Sequence, residues 1–158
     1  MSWGNVIHRA LEALPHNENL SDTFITHLLQ QEGRPTTELP DVRSTLENVM
    51  STPLWQRLRA ATEKWTEVPF GIYENGIYLT GTIDLAFREK EGWILVDYKT
   101  DTVRDDIHLA DLVAYYQPQV GKYAEVWKNT TGEAVKEYGL FFTHGAQPYY
   151  EWRSLQAT

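Results

Sequence analysis

Cysteine is absent from this chain of 158 residues. Disulfides, thiolate zinc sites, cysteine-ligated iron–sulfur clusters and cysteine nucleophiles are excluded with it. A bound metal must therefore take His, Asp, Glu or backbone oxygen, a donor set that favours hard cations. No apolar run approaches a membrane span. Residues 1–14 mix polar and apolar side chains, unlike a secretory leader. No internal repeat or low-complexity segment is visible. Positive charge is scarce, with 14 Lys and Arg against 22 Asp and Glu and a net charge of −8. A general nucleic-acid binder is usually basic, so the bulk charge speaks against one. A soluble, cytoplasmic protein with no membrane partner is expected.

The length is that of one domain, and a hydrophobic fraction of 42% is ordinary for a globular chain able to bury a core. Aromatic residues reach 13%, with six Trp and nine Tyr. The first part reads as helices. Ser2 can cap a helix whose Val6, Ile7, Ala10, Leu11 and Leu14 recur at helical spacing, ended by Pro15. Ser21 or Asp22 opens a second helix through Phe24, Ile25, Leu28 and Leu29. A polar connection leads to Pro40, and a third helix runs through Val42, Leu46 and Val49. Ser51 or Thr52 recaps the chain, with Pro53 in the first turn and Leu54, Leu58 and Ala61 following.

After Trp65 the pattern changes to β-branched and aromatic runs at 68–73, 77–87 and 93–98. Glu74-Asn75-Gly76 marks one hairpin turn and residues 89–92 a second. A helix is expected over 118–128, with Pro118 near its first turn, then strands over 135–143 and 149–153. Tyr116, Val120, Tyr123 and Trp127 form a stripe suited to a core. The order helices, three strands, helix, two strands predicts an α/β (α+β) layered domain with helices flanking a central mixed sheet.

The chemistry concentrates in two segments, Gly81-Thr82-Ile83-Asp84 and Val96-Asp97-Tyr98-Lys99. The second follows Trp93-Ile94-Leu95, and apolar residues on both faces predict a central strand. Alternation puts Asp97 and Lys99 on one face. The tight turn at 89–92 sets Asp84 almost opposite Asp97. Two carboxylates and an ammonium at the edge of an apolar sheet are costly unless they pair or hold a metal. A divalent cation relieves the repulsion between the acids, and a neighbouring Lys can hold a water or a phosphate oxygen. Phosphodiester hydrolysis needs that combination. The same residues also suit a bland hairpin ion pair.

Taken together these segments resemble the RecB-like branch of the PD-(D/E)xK nucleases, in particular the AddA type. Val6-Ile7-His8-Arg9-Ala10-Leu11-Glu12 resembles the branch's N-terminal helix with its metal-ligand His. Thr66-Glu67-Val68-Pro69-Phe70 is similar to its Glu-x-Pro-Phe strand. Gly81 to Asp84 and Val96-Asp97-Tyr98-Lys99-Thr100-Asp101 resemble the two core motifs, and Gln119 to Tyr123 the downstream Gln-x-x-x-Tyr helix. Ile83 stands where the superfamily name has Pro, and Gly121 interrupts the last motif. The resemblance implies a restriction-endonuclease-like core. It implies Mg²⁺ or Mn²⁺ held by His8, Asp84, Asp97 and the Tyr98 carbonyl, with Asp84, Asp97 and Lys99 catalytic. Glu67, Gln119 and Tyr123 would support the site or touch substrate. No iron–sulfur cluster is implied, because this chain has no cysteine.

The function that follows is a Mg²⁺-dependent deoxyribonuclease, an exonuclease acting in double-strand break repair and recombination. The implied partners are DNA and a helicase, present as a fused domain or as a separate protein. Residues 1–158 would form one nuclease domain, with helices over 1–64 and a catalytic core over 65–158. No Walker A pattern occurs, so the chain reads either as a stand-alone nuclease or as a piece of a longer helicase–nuclease. The alternative is a catalytically degenerate nuclease fold that binds DNA ends or acts as a scaffold. Retention of Asp84, Asp97 and Lys99 together speaks against decay.

Overall fold

Each helix begins where the sequence supplies a cap or an apolar stripe. The computed structural model describes residues 2–144 and 151–155. Helix α1 (Ser2–Ala13) buries Val6, Ile7, Ala10 and Leu11. Ser2 is its first residue, and its hydroxyl accepts from Arg34 Nη1 at 2.9 Å; it does not act as the expected cap. In α2 (Asp22–Gln31) the Ser21 hydroxyl accepts the Phe24 N–H at 3.1 Å. A 3-10 turn at Thr36–Glu38 leads into α3 (Leu39–Met50). Thr52 then caps α4 (Pro53–Ala60) through the Trp55 N–H, and Pro53 fills a first-turn position that needs no donor.

Five strands form one sheet in the order β1-β2-β3-β4-β5: β1 (Lys64–Glu74), β2 (Ile77–Glu89), β3 (Gly92–Lys99), β4 (Val135–Phe142) and β5 (Glu151–Leu155). All neighbours are antiparallel except β3 and β4, which are parallel and joined by the crossover helix α5 (Asp106–Thr131). The expected mixed sheet between helices is therefore present, with β3 in its centre. Asn75 and Gly76 make the first hairpin turn, both with positive φ (53° and 79°), as a tight two-residue turn requires.

The expected helix over 118–128 begins earlier, at Asp106. Asp105 caps it by accepting the His108 N–H at 2.7 Å, and Leu109, Leu112, Tyr116 and Val120 carry one stripe across Pro118. Pro118 is thus interior. It denies a donor to the carbonyl of Ala114, an exposed residue whose oxygen water can serve. Of the expected strand over 149–153, residues 149 and 150 lie outside the described residues.

The sheet separates two cores. Leu85, Phe87, Ile94, Val96, Tyr98 and Phe141 pack beneath α1–α4. Ala86, Trp93, Leu95, Leu140 and Phe142 pack against Val120, Tyr123, Ala124 and Trp127 of α5. Strict alternation would put Ile83 on the same face as Leu85, yet Ile83 belongs to the α5 core. The neighbouring strand changes face at the same level. Thr66 Oγ1 meets His16 at 3.3 Å, Val68 packs with the α5 core, and Glu67 between them has φ 51°. Both strands therefore flip sides at one level, the level of Glu67 and Asp84.

Candidate active site

The last pair of the β2–β3 ladder is Leu85 with Val96, so the next level brings Asp84 opposite Asp97. There the ladder opens. The Tyr98 N–H does not go to a strand carbonyl; it donates to Asp84 Oδ2 at 2.8 Å. The face change at Asp84 makes this possible, because it swings the carboxylate toward β3.

His8 reaches the same point from α1. Its Nδ1 lies 2.9 Å from the Gly4 carbonyl and its Nε2 2.9 Å from the Tyr98 carbonyl. Carbonyl oxygens only accept, so this pair of contacts favours the doubly protonated ring. Nε2 also lies 3.6 Å from Asp84 Oδ2. Burial opposes the charged ring, but Asp84 and the two carbonyls outweigh it and raise the His8 pKa to about 9.

On the α5 face, Asp97 is 6% exposed and Lys99 Nζ stands 2.9 Å from its Oδ2. At that distance the two form a charge-assisted contact. Burial, then the charge of Asp84, pushes the Asp97 carboxyl up to about 7, with Lys99 pulling the other way. Glu67, half-buried at the level of Asp84, is raised by burial, then by Asp84 and Glu12, and lowered by His8 and Arg9.

His8, Asp84, Asp97, Tyr98, Lys99 and Glu67 thus gather where the sheet opens. Tyr123 borders them. Its ring packs on Phe70 at 4.9 Å, and burial followed by the charges of Asp97 and Asp84 raises its hydroxyl to about 12. Gln119 does not join the group: its side chain is exposed and, among the described residues, has no hydrogen bond to the site. Two further residues, read from sequence as part of a core stripe and as the end of a motif, also belong at the site. The Tyr116 ring lies under Lys99 Nζ at 4.2 Å, and its hydroxyl donates to Asp101. Continuing the alternation of Asp97 and Lys99 by one more step would have picked out Asp101.

Among the described residues no three His, Asp or Glu side chains are preassembled as a metal site. The donors nevertheless suit a hard divalent cation. His8 Nε2 lies 2.9 Å from the Tyr98 carbonyl and 3.6 Å from Asp84 Oδ2, and the buried Asp97 carboxylate stands at the next strand level. The His8 N–H bridges atoms that could serve a cation once the proton leaves. A cleft of about 780 Å³ at the other end of the sheet is lined by Arg57, Glu63, Arg88, Glu89 and Lys136, whose charges pair with one another or with neighbouring acids.

Comparison with known proteins places the chain in a family. The family model described as the PD-(D/E)XK nuclease superfamily matches residues 1–152. The larger relatives are ATP-dependent helicase/nuclease subunits of the A type. The one from Alkaliphilus oremlandii is 32% identical over 157 residues, which is 87% of this chain and 13% of the relative. Its namesake from Thermoanaerobacter sp. is 33% identical over 144 residues, 81% of this chain and 11% of the relative. The chain therefore spans a small part of the relatives it matches. A provisionally assigned exonuclease from Eubacterium rectale shares the fold, with a TM-score of 0.58 at 11% identity, covering 100% of this chain and 60% of that one.

Proposed function

The chain belongs to the PD-(D/E)XK nuclease superfamily, and from that premise we propose that it is a metal-dependent deoxyribonuclease whose site is built on Asp84, Asp97 and Lys99. The observation that carries this reading is the convergence of two carboxylates and an ammonium at the level where the β2–β3 ladder opens. Asp97, a buried carboxylate with a raised pKa beside a second acid, is poorly suited to a purely structural role.

His8, Asp84, Asp97 and the Tyr98 carbonyl would hold Mg²⁺ or Mn²⁺. When bound, such a cation neutralises the acids and lowers the pKa of a water. Lys99, held beside Asp97, offers an ammonium to that water or to charge growing on the phosphate oxygens. Glu67 sets the electrostatics behind Asp84, and Tyr123 walls the site. Gln119, being exposed, is assigned to substrate contact.

The helicase/nuclease name of the relatives supports a wider setting. The chain would act as the exonuclease portion of a helicase–nuclease in cytoplasmic DNA repair and recombination, as one catalytic unit over 1–158 with helices at 1–64 and core at 65–158. The test is cleavage of linear single- and double-stranded DNA by the wild type and Asp84→Ala, with Mg²⁺ or with a chelator. Mg²⁺-dependent cleavage lost in Asp84→Ala is expected. Binding of DNA ends without cleavage under any divalent cation would instead support the scaffold reading.

A further inference from the structure

A lysine has a long flexible stem and a point charge, so a catalytic ammonium needs something besides one carboxylate to hold it. Lys99 has that something on the helix opposite. Its Nζ lies 4.2 Å from the centroid of the Tyr116 ring while standing 2.9 Å from Asp97 Oδ2. The face of an aromatic ring is negative and attracts a cation placed over it. The ring in turn is fixed. The Tyr116 hydroxyl donates to both Asp101 oxygens, at 3.1 and 2.9 Å, and the Tyr115 ring meets it edge-on at 5.1 Å. Asp101 stands two residues beyond Lys99, so chain and helix close a loop: Lys99 onto Tyr116, Tyr116 onto Asp101.

We propose that Tyr116, anchored by Asp101, is a positioning residue that clamps the Lys99 ammonium between its ring face and Asp97. This rests on the catalytic role given to Lys99 above. The clamp holds the stem while leaving ammonium donors beyond the Asp97 contact for a phosphate oxygen or a water. Tyr116 itself touches no reacting atom. The ring face does the clamping, and the hydroxyl only sets the plane of the ring.

The experiment compares Tyr116→Leu, Tyr116→Phe and Asp101→Asn in the whole chain, with thermal unfolding to verify folding. Tyr116→Leu is expected to lower kcat on linear DNA roughly tenfold, the scale of a lost cation–π contact. KM and Mn²⁺ affinity should stay unchanged. Tyr116→Phe, which keeps the ring face, should retain most of kcat. Asp101→Asn, whose amide oxygen still accepts from the Tyr116 hydroxyl, should likewise retain most of kcat. A second readout does not use activity. In protein labelled with ¹³C-lysine, the Lys99 ε-methylene, assigned by its loss in Lys99→Arg, should resonate upfield from the ring current. It should stay there in Tyr116→Phe and move downfield in Tyr116→Leu. A wild-type kcat in a folded Tyr116→Leu protein, or an ε-methylene that does not move, overturns the clamp. If Lys99→Ala itself cleaves at the wild-type rate, the catalytic role of the lysine is what has failed. Loss of cleavage in Lys99→Ala beside full cleavage in Tyr116→Leu puts the failure in the clamp alone.

Discussion

Lys99 and Asp97 share a contact but should fail differently when removed. Lys99→Ala should cost on the order of 10²–10³ in cleavage rate while Mn²⁺ binding survives. Asp97→Ala should lose both, as calorimetry beside a cleavage assay would show. Cleavage by Lys99→Ala at the wild-type rate would make the lysine structural. The acids and the histidine also set a pH signature. Asp97 is raised from 3.8 to about 7, so the folded protein holds this proton more tightly than the unfolded chain. Metal-free stability should therefore fall as pH rises through that window. His8 is raised from 6.5 to about 9, and its stabilising contacts are fully present below 6.5 and lost as pH climbs through 9. Both slopes point the same way. Thermal melts in chelator should drop between pH 5 and pH 8, and Asp97→Asn should flatten the lower part. Mn²⁺ affinity should rise over the same range, because His8 must give up its Nε2 proton to become a ligand.

Helix α5 and the β3–β4 crossing show what local sequence controls. Gly121 sits inside α5, where a Cβ would meet only the Tyr138 hydroxyl at 3.7 Å. Gly121→Ala should stabilise the protein by roughly 0.5–1 kcal/mol in denaturant unfolding. Gly92 has φ 148°, and a Cβ there would stand 2.7 Å from the Ala134 carbonyl oxygen. Gly92→Ala should destabilise by roughly 1–3 kcal/mol. A Gly92→Ala protein as stable as the wild type would mean that the turn re-forms without strain. Much of this level is legible in the chain itself. The caps at Ser21 and Thr52, the Asn75-Gly76 turn and the apolar run of β3 are local signals, and the opposition of Asp84 and Asp97 follows from one short turn. The start of α5 is hidden because Pro118 imitates a first-turn proline, and only packing on the sheet carries the helix through it. The face change at Glu67 and Asp84 has no signature at all. A positive φ at glutamate is not favoured locally, and the surrounding pairs must impose it. Tyr116 belongs to a stripe with the spacing of a core; its contact with Lys99 arises only when α5 lies across β3.

Across the whole molecule, the basic side chains are largely committed to acids. Arg57 bonds Glu89 and Glu137, Arg59 bonds Glu18, Arg88 bonds Glu63, and Lys122 bonds Glu74. With a net charge of −8, the chain should bind DNA weakly by itself, and fluorescence anisotropy at physiological salt should give no submicromolar affinity. No helix among the described residues is long and apolar enough to cross a membrane. The same acidic body gathers cations as it repels polyanions, and dissolved salt screens both effects. Added potassium chloride should thus push the reaction two ways. At limiting Mg²⁺ it weakens the attraction that fills the site, and turnover falls. At saturating Mg²⁺ only the repulsion of the substrate remains to be screened, and turnover rises. The two titration curves should diverge with ionic strength, so the buffer in which such a nuclease is assayed decides whether salt registers as an inhibitor or as an activator.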